Sequence, residues 1–360
     1  MTQLDSTSLL EEICAIWQVK PADTQPIESG FHWWPGHHRV TVRCARKQMP
    51  GDEAVWRLTV GTDYLLRVDL EDVASIINLL GLGAYAPTYA WVFTPADIAR
   101  QYKIPLTGAV TLHSATYVRA ATAEWMPRLF AQMSIMQAID AQRSADSFGA
   151  MLKGRADKSG ERLAAGPESF DDILNVASVV LAPAGQEPSR WRDSPEFAAA
   201  VQRLNGTDAC AGQLHRGGAA FEIPFGANAA LITLRHDIAH PALGQGLLGT
   251  IRLPVLQSQA DTAQVCAWLN HLGATSWTEA PVHGTWHPQE LGDGRFCPAY
   301  GAFIPNALHA EGLATNLAVW NIALARWARR TGWVNLEDKT MPEILAARHQ
   351  AKVASGEVLW

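Results

Sequence analysis

Charge is scarce in this chain. Asp, Glu, Lys and Arg make up 18% of its 360 residues, and the formal net charge is −6. Affinity for nucleic acid rests on clustered Lys and Arg. The one compact basic run, residues 43–47, is short enough to be a solvated strand end, so no nucleic-acid partner is expected. Long apolar runs are missing as well: nothing approaches the ~20 residues that a membrane-crossing helix needs, and no membrane partner is expected. The opening MTQLDSTSLLEEI has neither a basic n-region nor an apolar h-region, which makes the cytoplasm the expected compartment. Cysteine is sparse too. Cys14, Cys44, Cys210, Cys266 and Cys297 form no close pair, which points to buried thiols rather than a disulfide framework.

Local catalytic signatures are also absent. There is no Gly-x-Ser-x-Gly elbow and no Gly-Lys-Ser/Thr run, and Gly81-Leu-Gly83 lacks a third glycine, so neither nucleotide fold is supported. His236-Asp-Ile-Ala-His240 has the spacing that presents two imidazoles to one metal on a helix. However, it follows the alternating LITLR and precedes Pro241, and Asp237 stands where the zinc motif carries Glu. His37 and His38 are adjacent, so on a strand they face opposite ways. His283 and His287 flank Trp286 without a Cys or carboxylate at ligand spacing. No metal site, catalytic constellation or cofactor is expected. Asp69, Glu71 and Asp72 sit at a predicted strand-to-helix junction, where capping is their ordinary role.

What the chain does have is apolar content, 48% of residues, and 14 tryptophans. At this length two domains are the default. The clearest element is a helix over 310–330. Leu313, Leu317, Trp320, Leu324 and Trp327 form its apolar stripe, and Arg326, Arg329 and Arg330 end it. Residues 124–143 have the same design, with Leu129, Met133 and Met136 at matching positions. Each follows a short apolar strand, over 110–118 and 300–304.

Taken in order, Ser6 or Thr7 caps a helix to about Gln18 with Leu9, Ile13 and Trp17 on one face. Val40, Val42 and Cys44 alternate with polar residues as in a half-buried strand. A turn at 48–52 joins it to 54–60. Residues 64–68 read as a third strand, or as the second continuing past a bulge at Gly61. A helix over 70–80 ends at Gly81, and an aromatic strand over 88–93 ends at Pro95. Residues 144–169 are poor in large apolar side chains and read as a linker, with room for a short helix over 148–163. Helices near 170–181 and 195–204 follow. Strands come next at 212–223, 229–236 and 247–253, then a helix over 258–272 stopped by Gly273.

The landmarks of the two halves match. A helix ending Asn78-Leu-Leu-Gly81 and a strand ending at Pro95 recur as Asn270-His-Leu-Gly273 and Trp286-His-Pro288, about 192 to 193 residues on. The expected fold is therefore α+β, a tandem duplication of an antiparallel sheet with helices packed on one face. Its expected parts are a first copy over 1–145, a linker over 146–168, a second copy over 169–335, and a C-terminal tail with a short helix over 336–360.

This order of elements resembles that of the class I type III secretion chaperones and their YbjN-like relatives: helix, three strands, helix, two strands, helix. The resemblance covers both halves as an order of elements. It implies a non-catalytic module that binds polypeptide and is often dimeric, with the two joined copies here taking the place of a dimer.

Trp33-Trp34 stands apart from the other tryptophans. Adjacent residues cannot both face one core, and His32, Pro35, Gly36, His37 and His38 around them suggest a loop. One ring is expected to pack and the other to lie near the surface, unless both wedge into a seam between the halves. Trp33, Trp34, His37 and His38 are thus the candidate binding residues. The function expected is that of a chaperone, adaptor or accessory factor for another cytoplasmic protein, as a monomer or homodimer. The alternative is an enzyme whose active site lies between the two copies.

Overall fold

The computed structural model describes residues 5–20, 23–48, 54–69, 89–95, 107–158, 187–205, 210–225, 227–255, 257–278 and 280–331, with residues 174, 175, 177 and 178. Helix α1, Ser6–Trp17, buries Leu9, Ile13 and Trp17. Its cap is Asp5, whose Oδ1 accepts the Ser8 N–H at 2.9 Å, rather than Ser6 or Thr7. Strands β1 (Thr24–Ile27), β2 (Gly30–Trp33), β3 (Val40–Gln48), β4 (Ala54–Asp69), β5 (Ala90–Pro95) and β6 (Thr107–Val118) form an antiparallel sheet in the order β1-β2-β3-β4-β6-β5.

Helix α2, Met126–Met151, crosses that sheet and packs on β4, β6 and α1. It runs well past residue 145 because Ala145, Gly149 and Leu152 remain buried. The short β7, Arg155–Ala156, then returns to pair with Leu65 and Leu66 of β4. The start of the stretch expected as a linker thus belongs to the first unit, while 159–169 lies outside the described residues.

The second unit has α3 (Glu196–Asn205), β8 (Ala211–His215), β9 (Gly218–Phe225), β10 (Asn228–Arg235), β11 (Gly246–Arg252), α4 (Gln259–Thr275), β12 (Gly284–Glu290), β13 (Phe296–Pro305) and α5 (Leu313–Arg330). Its sheet runs β8-β9-β10-β11-β13-β12. That is the path of the first sheet, strand for strand, so the fold is a tandem duplication of one α+β unit. Matching residues confirm the register. Gly30 opposite Arg43 corresponds to Gly218 opposite Arg235. A Cβ on Gly30 would lie 1.9 Å from the Val42 carbonyl oxygen, and one on Gly218 2.0 Å from that of Leu234.

The closing helices match in the same way. Buried Gln137 of α2 donates to the carbonyls of Val60 and Leu112 at the centre of its sheet. Buried Asn321 of α5 lies over Gly249, the partner of Val60 in the second unit. Leu129 and Leu313 are buried in the first turns of α2 and α5, but Pro95 and Pro288, though in the matched strands β5 and β12, are two residues out of register: the ladder sets Phe93 at the position of Pro288. Gly81 and the helix over 70–80 lie outside the described residues, as do most of 170–181 and all of 336–360.

Three expected elements take a different form. Residues 212–223 are two strands, β8 and β9, joined by a tight turn at Arg216-Gly217. Residues 64–68 continue β4, the second of the two forms expected, but the register breaks fall at Tyr64 and Arg67, where Arg67 is left-handed at φ 60°, rather than at Gly61. Helix α4 runs through Gly273 to Thr275.

The units meet through α4 and the chain after it. Arg57 of β4 donates to the carbonyls of Gly273 and Ala274 at 3.0 and 2.8 Å. Ala115 of β6 and Val282 exchange backbone hydrogen bonds of 3.0 and 2.8 Å. Tyr117 Oη accepts the Thr278 N–H at 2.7 Å. Ala90, Val92, Ala115 and Val282 form a small apolar cluster there.

Candidate functional site

Strand alternation sends Phe31 and Trp33 toward α1 and α2, and sends His32 and then Trp34 to the opposite face of the first sheet. The ladder sets a row of residues across that face: His32 opposite Thr41, Thr41 opposite Gly61, Gly61 opposite His113, and His113 opposite Ala90. The same row in the second unit reads Ala220, Thr233, Thr250, Gly301, Thr285. Two imidazoles in the first unit therefore replace small residues, and a glycine replaces a threonine.

Helix α4 covers the β5 and β6 side of this face. Over β2 to β4, His32, Thr41, Arg43, Thr59 and Gly61 are half-buried. Arg39 Nη2 pairs with Asp63 Oδ2 at 2.9 Å, and the Asp63 N–H donates to the Arg39 carbonyl. Arg39 Nε is buried with no hydrogen-bond partner. His32 Nδ1 lies 3.0 Å from Thr41 Oγ1. Burial, with Arg39 and Arg43 nearby, lowers the His32 pKa against the pull of Asp63. A Cβ on Gly61 would meet open space, whereas the matching Thr250 bonds Thr233 at 2.6 Å. The missing side chain at Gly61 thus leaves a shallow polar recess among these residues.

The residues expected from the sequence lie around this recess in unequal roles. Trp33 is core: it is 5% exposed and stacks on Trp17 with centroids 5.2 Å apart. Trp34 is also buried, edge-on to His32 at 5.9 Å, so neither ring lies at the surface. His38 is buried with Nδ1 3.0 Å from the Asp63 carbonyl, while His37 is the exposed member and its N–H donates to Gln142. His236 and His240 serve other contacts: the first packs on Phe197, and the second accepts the N–H groups of Ala242 and Leu243 at Nδ1. Nothing in chain order marks His32, Arg39 and Gly61 as a group, because they come together only through strand register.

A second polar group sits under β5 on the helix side. Tyr89 donates to Asp140 Oδ2, Tyr64 Oη bonds Ser144 Oγ at 2.7 Å, and Ser144 donates to the Asp140 carbonyl. Burial raises the Asp140 carboxyl to about 6. Aligning α2 with α5 at Leu129 and Leu313 places Leu324 and Ala328 at the positions of Asp140 and Ser144. The seam holds further buried imidazoles: His113 and His283 are pushed down to about 3 by burial, and His287 to about 4. Among the described residues no three His, Cys, Asp or Glu side chains converge as metal ligands. No family model, curated protein or solved structure matches this chain.

Proposed function

We propose that this chain is a non-catalytic protein-binding module, a chaperone, adaptor or accessory factor that holds a segment of another cytoplasmic protein on the face of its first sheet opposite α1 and α2. One observation carries this reading. Among the described residues the face is shared between α4, which covers β5 and β6, and a half-buried polar recess over β2 to β4, where His32 and Gly61 stand in place of the second unit's Ala220 and Thr250. The strands under the recess are paired on both sides, so a partner is held by side chains and not by strand addition. A photo-cross-linker at Thr59, beside the recess, should trap one polypeptide in the native cell. The same label at Val319, exposed on α5, should not. Capture at both sites alike, or at neither, overturns the reading.

An enzyme acting between the units is the second reading. It is favoured by His113, buried at the seam with Nδ1 unpartnered and with Arg57 and His271 close enough to lower its pKa. Turnover lost in His113→Gln, with partner capture retained, is the result that supports it.

A further inference from the structure

We infer that Asn205 is a latch on the outer edge of β8, and that the edge it closes pairs with β8 of a second copy of this chain once the latch is released. An edge strand presents unpaired N–H and C=O groups to any other strand. Among the described residues β8 is the outermost strand of the second sheet and pairs with β9 alone. The two-residue turn sets His215 opposite Gly218, so Ala211, Gln213 and His215 bond β9 while the backbone groups of Gly212 and Leu214 face outward.

The latch is built from α3. Phe197, Ala200 and Leu204 are buried, which pins the helix beside β8 and brings Asn205, its last residue, to the edge. The Asn205 amide accepts the Gly212 N–H at Oδ1 and donates from Nδ2 to the Gly212 carbonyl at 3.0 Å. A primary amide offers both a donor and an acceptor, as a backbone residue does, so Asn205 meets Gly212 as a neighbouring strand would. Glycine permits the approach: a Cβ on residue 212 would lie 3.0 Å from Asn205 Oδ1 and 2.8 Å from the Phe221 ring.

The first unit blunts its edge by different means. Gly30 matches Gly218, so Pro26 of β1 stands where Leu214 stands in β8. Proline has no N–H to offer. Leu214 keeps its N–H, and its side chain is 55% exposed, more than any other large apolar side chain among the described residues. With Asn205 in place, Leu214 is the one open outward position of β8, too short a ladder to hold another strand. Release of the latch adds Gly212. A two-fold axis through Leu214 then lets it exchange both backbone bonds with its own copy, sets Gln213 against His215 and Gly212 against Arg216, and opposes no like charges.

The test is sedimentation equilibrium of the purified full chain, with no other protein present. Asn205→Ala should tighten self-association by about tenfold or more over the unaltered chain, and hydrogen exchange at the Leu214 amide should slow as its concentration rises. Adding Leu214→Pro, the residue the first unit carries, should return the double variant to the behaviour of the unaltered chain. Circular dichroism and melting check the fold of each variant. If Asn205→Ala melts early, Asn205→Asp repeats the comparison, because it keeps the acceptor for the Gly212 N–H and loses the donor to the carbonyl. Self-association that loss of the latch leaves unchanged, or that Leu214→Pro does not reverse, overturns the inference. Neither result bears on partner capture at the first sheet, which is read at Thr59.

Discussion

Asp140 is a half-buried carboxyl in a helix whose repeat carries leucine at the same position. Its pKa of about 6 lies above the ~3.9 of an unfolded Asp, so between pH 4 and 6 the folded chain holds the extra proton. The stability tied to the protonated form is present below pH 4 and lost as pH rises through 6. Asp140→Asn should therefore stabilise the chain by ~1–2 kcal/mol at pH 7.5 and by almost nothing at pH 4; urea titrations at the two pH values check it. An equal effect at both would show that the carboxyl is not desolvated.

The buried histidines act in the opposite sense. His113, His283 and His287 are neutral in the fold with pKa values of about 3, 3 and 4. An unfolded His titrates near 6.5, so the stability they carry is full above that pH and falls as the pH drops toward those values. Three such groups against one Asp140 predict net loss of stability on acidification from pH 7 to 4. His283 has both ring nitrogens unpartnered and packs against Phe130, so His283→Phe should flatten this slope while retaining the fold at pH 7. An unchanged slope would place the acid sensitivity elsewhere.

At the scale of elements, α5 closes the second core, but its stripe is divided in use. Leu313, Leu317, Leu324 and Trp327 are buried. Trp320, which the 3.6-residue spacing puts on the same stripe, is half-buried and stacks on Trp125 of the first unit at 6.2 Å. Leu317→Ala should cost about 2–5 kcal/mol, as large-to-small core changes do. Trp320→Ala should cost less and loosen the contact between units, seen as lower melting cooperativity. The reverse order of costs would show that Trp320 belongs to the core. Among the hairpins, β2 and β9 each start on a glycine whose missing Cβ lets the next strand's carbonyl approach. Gly30→Ala and Gly218→Ala should each destabilise by about 1–3 kcal/mol. Normal melting in either variant would mean that the strand can shift to make room.

The whole molecule is two copies of one unit locked at a seam that each copy builds differently. Arg57 reaches across to the carbonyls that end α4, where the negative end of the helix dipole favours a cation. Its Nε is unpartnered and burial lowers its pKa, so the side chain is expensive to bury and held by those two acceptors. Arg57→Met should remove that constraint and split a single unfolding transition into two, one per unit, by calorimetry. A single transition with unchanged midpoint would show that the backbone pair of Ala115 and Val282, with its apolar cluster, is sufficient.

The sequence alone determined what depends on local chemistry. The apolar period of 313–327 defines a helix whatever it packs against, and the alternation of Val40, Val42 and Cys44 defines a strand with one face inward. The shared order of landmarks made the duplication legible before any fold was known. The edge strand β1 was not legible, because an edge buries neither face enough to alternate. Nor was the split of 212–223, where the two-residue turn Arg216-Gly217 interrupts a run of small residues, or the continuation of α2 past Arg143, where alanine and glycine suit a closely packed helix as well as a loop. Only the tertiary structure decided the site. His32 lies on β2, Gly61 on β4 and Arg39 just before β3, and the register of those strands, fixed by the packing of the opposite face against α1 and α2, brings them onto one surface.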